Sequence, residues 1–455
     1  MKSNPEKTER FQGPPEFAVT FANIVFVSGM VYFGLLTVYA LQRILKPPEP
    51  VSSAFYFLCI LFGGISATSF GLGLRSLSNG LKVNLSVLFF TVGISVYAFE
   101  SYLEFSRSRE NRARMEIIQD LSDSGVKAYP NHMPTLLRES NGLKTNNGRI
   151  YPLGGIANST TILGNESGYY PIIETDEHGF HNPKGLYKEY RIDIMLTGDS
   201  FAEGYSVHSN ETISAVLRES GFSAISLGKG GNGSLIELAA LKEYAQPLKP
   251  KTVLWLYHVN DLHDLKYEMN SPILRQYLNK DDFSQNLISR QFEINRVLID
   301  YVQGRWEKER EREKRKIDIL TLPNLRARTK LKPQPASLAP LSERGISVFK
   351  NVLVKAKRMV SVWDGRMYFV YLPSLKRYST GKEDEHRKDV LRAATELNIS
   401  IIDIHSEVFA SHADPLSLFP FRSQGHYTPE GYRLVAEEIG ARLKTDGVVP
   451  SDAGN

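Results

Sequence analysis

The stretch Asp193-Ile-Met-Leu-Thr-Gly-Asp-Ser-Phe-Ala-Glu-Gly204 decides how this chain folds. An apolar, β-branched run from Ile192 to Thr197 stops abruptly at Gly198-Asp199-Ser200, and a helical pattern resumes from about Ser209. Strand, tight turn and helix in that order lift a hydroxyl to the carboxyl edge of an α/β sheet, beside free backbone N–H groups at a helix start. Gly198 and Gly204 let the backbone bend and let a substrate approach.

Working outward, the same alternation recurs. Strands are predicted at Ile192–Thr197, Ala224–Leu227, Thr252–Tyr257, Met367–Leu372 and Ile399–Ile404, and helices at Ser209–Ser220, Ser234–Tyr244, Glu343–Val362, Lys382–Leu397 and Pro429–Leu443. Strands alternating with helices imply βαβ units and a parallel sheet covered on both faces, with ligands at the carboxyl ends of its strands. This domain is expected over 191–445, followed by a tail, 446–455. An insertion, 262–340, interrupts it. Apolar pairs such as Ile273/Leu274 and Val297/Leu298 predict helices with one buried stripe there, and Arg305 to Lys316 alternates charge sign as a solvated helix does. The Pro-rich stretch Pro323 to Pro340 returns the chain to the sheet.

Ahead of the domain, a polar tail (1–16) precedes three apolar runs, Phe17–Leu41, Ser53–Leu74 and Val83–Leu103. Each approaches the roughly 20 residues that a helix needs to cross a bilayer, so 17–105 reads as three transmembrane helices. Lys2, Lys7, Arg10, Arg75 and Lys82 flank them on one side and Arg43, Lys46, Arg107, Arg109, Arg112 and Arg114 on the other. That near-tie leaves orientation open. Residues 106–190 begin as a charged helix and become a loop-rich lead-in. The formal charge of +5 over 455 residues lacks the clustered basic face of a nucleic-acid binder. The single cysteine, Cys59, permits neither an intramolecular disulfide nor a thiolate metal site, and nothing calls for a cofactor or metal.

Three further strand ends carry candidate chemistry. Gly228-Lys-Gly-Gly-Asn-Gly233 is a glycine turn, expected to be flexible, that could aim N–H groups at an anion but lacks a nucleotide-binding Gly-Lys-Ser/Thr ending. His258-Val-Asn-Asp261 puts Asn260 at the carboxyl edge. Gly425-His-Tyr-Thr-Pro-Glu-Gly431 sets His426 just before a helix that Pro429 and Glu430 announce. These blocks, in this order and spacing, resemble the SGNH (GDSL-type) hydrolases over roughly Asp193 to Leu443. The resemblance implies a flavodoxin-like three-layer sheet behind the three membrane helices, and ester hydrolysis or acyl transfer. It implies Ser200 as nucleophile, His426 as base, and the Ser200 N–H, Gly231 N–H and Asn260 amide as the oxyanion hole.

One departure matters. The family carries an aspartate two or three positions before the histidine, where this chain has Gln424 and Ser423. The expected orienting groups are therefore Ser423, a backbone carbonyl, Asp414 or Asp403. A second base pair, Asp176 and His178, has the Asp-x-His form of some related O-acetyltransferases, although Asp176 to Gly179 also reads as a turn. The resemblance implies an acyl-ester or glycan substrate and a bacterial inner membrane with the domain outside the cytoplasm. The rival reading is an inactive scaffold that binds an envelope protein through 262–340.

Overall fold

The computed structural model describes residues 13–45, 53–138, 140–188, 191–314, 322 and 343–450. Most of the polar N-terminal tail, the end of the C-terminal tail and the Pro-rich stretch lie outside them. The chain divides into two units, one of residues 1–111 with 312–339, whose N-terminal part is helical, and an α/β unit of residues 112–311 and 340–455.

The helical unit contains α1 (Glu16–Leu45), α2 (Ser53–Ser76) and the start of α3 (Asn79–Asp123). All three contain a stretch long and apolar enough to cross a membrane. Lipid provides no hydrophobic drive between helices, so small residues must let them approach. Gly29 does this on α1, where a Cβ would sit 2.6 Å from the Phe70 ring of α2. Phe70 in turn packs on Phe26, Phe33 and Phe89 at centroid separations of 5.5, 5.7 and 5.0 Å. The third span and the charged segment after it form one continuous helix of 45 residues.

In the α/β unit, the lead-in forms β1 (Ala128–Pro130), a β2–β3 hairpin (Leu143–Thr145, Gly148–Ile150), β4 (Thr160–Ile162) and β5 (Ile172–Glu174). Strands β1, β4 and β5 make a small sheet. The main sheet contains β6 (Ile194–Thr197), β7 (Ala224–Ser226), β8 (Thr252–Tyr257), β9 (Arg366–Tyr371) and β10 (Ser400–Asp403), paired in parallel in the order β10-β9-β8-β6-β7. Counting only these five strands, the order is 2-1-3-4-5, the flavodoxin-like winding. Alternate residues feed two apolar layers: Met195, Val253, Trp255 and Phe369 lie on one face, and Ile194, Leu196, Leu254 and Val370 on the other. The period of two in strands buried on both faces is why these runs read as continuously apolar.

Helix boundaries differ from expectation where local capping decides them. A one-turn helix, α4 (Ser200–Glu203), follows β6 directly, and the next helix, Ile213–Glu219, starts late because Thr212 Oγ1 accepts the Ala215 N–H at 3.1 Å. The helix expected over Lys382–Leu397 starts later, as Arg387–Glu396, and a separate short helix, Leu375–Thr380, precedes it and ends at Gly381 with its φ of 68°. The insertion opens with helices Asp261–Glu268, Pro272–Asn279 and Gln291–Lys314. Ile273, Leu274, Tyr277, Ile294 and Leu298 join the main core, so this half of the insertion is structural.

The lead-in is fastened to the sheet by polar contacts. Asp176 Oδ1 accepts the N–H groups of His178 (2.8 Å) and Phe180 (2.9 Å), while Oδ2 accepts from Asn182 (2.7 Å) and the Tyr187 hydroxyl (3.2 Å). Asn182 then pairs with the main chain of edge strand β7, exchanging two bonds with Ser226, each of 2.8 Å. Asp176→Ala strips partners from several buried donors at about 1–3 kcal/mol each and is expected to destabilise the protein by about 3 kcal/mol or more. Thermal unfolding in detergent checks this, and an unchanged Tm would refute it.

Candidate active site

In a 2-1-3-4-5 sheet the chain winds in opposite directions from the first strand, and a crevice opens at the carboxyl ends of the first and third. Here those strands are β6 and β8. Ser200 follows the first and Asn260 the third. The turn after β6 needs glycine at position 198, where a Cβ would lie 2.9 Å from both the Leu256 carbonyl oxygen and Ala202 Cβ. Asp199 caps α4 by accepting the Phe201 N–H at 2.9 Å.

His426 arrives from the other end of the domain. Thr428 caps the helix Pro429–Thr445, with Pro429 in its first turn, so the imidazole hangs on the loop just before a fixed helix start. Its ring lies against Phe201 and Tyr205, with centroids 4.9 and 4.7 Å away. Nε2 stands 2.7 Å from Ser200 Oγ.

The other side of the ring meets a residue that the sequence did not disclose. Glu166 Oε2 lies 2.9 Å from His426 Nδ1 and accepts the His426 backbone N–H at 3.1 Å. The Nδ1 approach is at ion-pair distance, although its angle falls outside that of a hydrogen bond. Burial raises the Glu166 carboxyl. The His426 ring and the N–H groups of His426 and Gly425 outweigh that and hold it below the ordinary glutamate value.

The groups expected in that role are engaged elsewhere. Asp414 is paired with Arg422, at 2.5 and 3.0 Å, and Asp403 with Arg387 and Ser406. Ser423 is exposed and its N–H bonds to the Pro420 carbonyl. Asp176 is the turn hub described above. His178 faces Gln291, with Nδ1 3.4 Å from Oε1, between the rings of Tyr187 and Tyr244.

Asn260 Nδ2 donates to Asp199 Oδ2 at 3.0 Å and to Asp264 Oδ2 at 3.2 Å, while Oδ1 meets His258 Nδ1. One amide N–H thus faces the Gly198–Ser200 turn and the other the helix Asp261–Glu268. The glycine turn after β7 is pinned rather than flexible. Lys229 Nζ is buried against Glu203 (2.5 Å) and Asn131 (2.6 Å), and Gly230 donates to Glu203 at 2.8 Å. Asn232 Nδ2 reaches the Gly198 carbonyl at 3.3 Å, which joins this turn to the one carrying Ser200. Gly231, at φ 70°, lies under Thr135, whose Cγ2 would be 2.7 Å from a Cβ there. Both the turn and the imidazole thus depend on lead-in residues, Asn131 and Thr135 on one and Glu166 on the other.

No known protein-family profile matches the chain, and no curated protein matches it in sequence. Solved structures do align with it. A member of the lipolytic protein G-D-S-L family from Veillonella parvula is 14% identical, covering 56% of this chain and 98% of its own, at a TM-score of 0.32. The lipase/acylhydrolase from Enterococcus faecalis is 12% identical, over 56% of this chain and 96% of its own, with a TM-score of 0.32. A two-domain esterase active on acetylated mannans is 13% identical, over 58% of this chain and 52% of its own, with a TM-score of 0.33.

Proposed function

We propose that the protein is a membrane-tethered serine esterase or O-acyltransferase that acts on acylated cell-surface glycans. The observation that carries this reading is the line of three groups, Glu166 to His426 Nδ1 at 2.9 Å and His426 Nε2 to Ser200 Oγ at 2.7 Å. A serine hydroxyl attacks an ester only when a base takes its proton, and an imidazole serves only in the right tautomer. The Glu166 carboxylate keeps the proton on Nδ1 and leaves the Nε2 lone pair facing Ser200.

The reaction follows from that arrangement. Ser200 Oγ adds to the ester carbonyl carbon as its proton moves to His426 Nε2. The carbonyl oxygen takes the negative charge and accepts N–H groups from Ser200, Gly231 and the Asn260 amide, which exchanges its bond to Asp199 for one to the oxyanion; such donors are worth about 2.7–4 kcal/mol each in comparable sites. Collapse of the intermediate breaks the bond to the alcohol, which leaves with the proton from Nε2. Water or a sugar hydroxyl then attacks the acyl-serine by the same steps in reverse. On this reading the enzyme sits in a bacterial inner membrane with its domain outside the cytoplasm.

A scaffold reading is favoured by an imidazole with no carboxylate beside it, and the Glu166 carboxylate 2.9 Å from Nδ1 speaks against it. Labelling of the detergent-purified protein by a fluorophosphonate, with p-nitrophenyl acetate hydrolysis alongside, tests the proposal. Label is expected on Ser200 and none on Ser200→Ala. Absence of labelling and hydrolysis across about pH 6 to 9, a range spanning ordinary histidine titration, sinks it.

A further inference from the structure

The segment that delivers His426 also holds an aromatic ring in a posture that core packing does not explain. Phe421 is 68% exposed, with φ at 52°, and Arg422 beside it has φ at 56°. A bulky side chain avoids this left-handed region and stays there only where its surroundings enforce it. Here they do. Arg422 forks onto Asp414 at 2.5 and 3.0 Å, and its N–H bonds to the Phe419 carbonyl at 2.9 Å. The Gln424 N–H bonds to the Pro420 carbonyl at 3.0 Å, and Leu418, Phe419 and Pro420 are buried beneath. The ring is presented by a fixed loop.

Its tip rests on Gly168, where a Cβ would lie 3.2 Å from Phe421 Cζ. Gly168 is two residues beyond Glu166 and is tied to the same turn, its N–H bonding Asn165 Oδ1 at 2.8 Å. The ring therefore overlies the loop carrying the carboxylate, and its own backbone reaches His426 five residues on. A largely exposed apolar ring thus stands on the loop that carries Glu166.

We propose that Phe421 is a stacking platform for a pyranose ring of the ester-bearing substrate, which makes the substrate class acylated carbohydrate. This rests on the Ser200–His426 reading above. A pyranose offers a flat C–H face, and a single exposed aromatic face matches it. An acyl chain gains chiefly from area removed from water, which requires enclosure on several sides that this ring does not provide. Holding the ring in a strained backbone, ready before substrate arrives, lowers the ordering cost of binding.

The test uses the full-length protein in detergent, with p-nitrophenyl acetate and a partially O-acetylated cello-oligosaccharide as probes. Phe421→Ala is expected to lower the ratio of kcat/KM for the oligosaccharide to that for the small ester by about tenfold, through KM, and Phe421→Trp to restore it. Phe421→Gly should raise Tm by relaxing the backbone while losing the oligosaccharide preference, which a merely structural residue would not do. Titration of the oligosaccharide onto Ser200→Ala, with and without Phe421→Ala, reads binding independently of catalysis. Weaker binding in the double variant supports the platform even if neither ester is hydrolysed. Equal binding, or a loss confined to p-nitrophenyl octanoate, overturns it.

Discussion

Glu166→Gln is expected to lower kcat for a small acetyl ester by about 10⁴-fold while leaving the fold intact, the size seen when a triad acid becomes its amide. Glutamine matches glutamate in shape and can still accept the His426 backbone N–H, which Glu166 takes at 3.1 Å. What it loses is the charge beside Nδ1 and the certainty that Nδ1 carries the proton. If the amide turns its NH₂ group toward the ring, the proton is driven to Nε2, and Ser200 then faces a donor instead of a base. KM should move little, since Glu166 meets the imidazole and not the acyl group. A fall below about tenfold would mean that the imidazole is oriented without the carboxylate, as in a dyad. Stability should respond to pH with a defined sign. The folded carboxyl lies below its ordinary value, so its contribution is present above that value and is lost as pH falls through the folded one. The gap in Tm between wild type and Glu166→Gln should therefore close on acidification below about pH 4.

Ser200, Asn260 and His426 could be singled out from the sequence because each sits at a boundary with local signals: a strand meeting glycine, a strand meeting polar residues, or a proline-led helix start; the fold brings Ser200 Oγ and His426 Nε2 to 2.7 Å. The parallel sheet was legible for the same reason, since strands buried on both faces leave long apolar runs. Glu166 was not, because it lies 260 positions from His426 and only the docking of the lead-in brings them together. Its one local trace, Asn165-Glu-Ser-Gly168, marks a turn and nothing about what the turn approaches. Proximity in sequence misled in the opposite direction. Asp414 and Asp403 precede His426 closely enough to be candidates, yet arginines claim both, and a pairing of that kind depends on the folded surface. The glycine turn misled similarly. Its composition suggests flexibility, but Lys229, buried against Glu203 and Asn131, holds it still.

His426→Ala is expected to lower kcat by about 10⁶-fold, as loss of the base does where nucleophile and base act as a unit. The same change at His178 should leave kcat within about tenfold of wild type, because a residue outside the reacting unit acts only through stability. Both histidines stand in plausible sequence settings, so their geometry has to decide between them. His426 Nε2 is within proton-transfer reach of Ser200 Oγ at 2.7 Å. The His178 ring is wedged between Tyr187 and Tyr244, at 4.6 and 5.3 Å between centroids, and burial pushes its basicity down. Its neighbour Asp176 spends both oxygens on Phe180, Asn182, Tyr187 and the His178 main chain, and gives nothing to the His178 ring. The expected signature is thus a split: His426→Ala folds normally but is inert, whereas His178→Ala loses some stability and stays active. The reverse pattern would move the base to the lead-in and would require that segment to swing onto Ser200 during turnover. The bonds between Asn182 and Ser226 oppose such a swing, because they tie the lead-in to the sheet edge two residues before the Gly228–Gly233 turn.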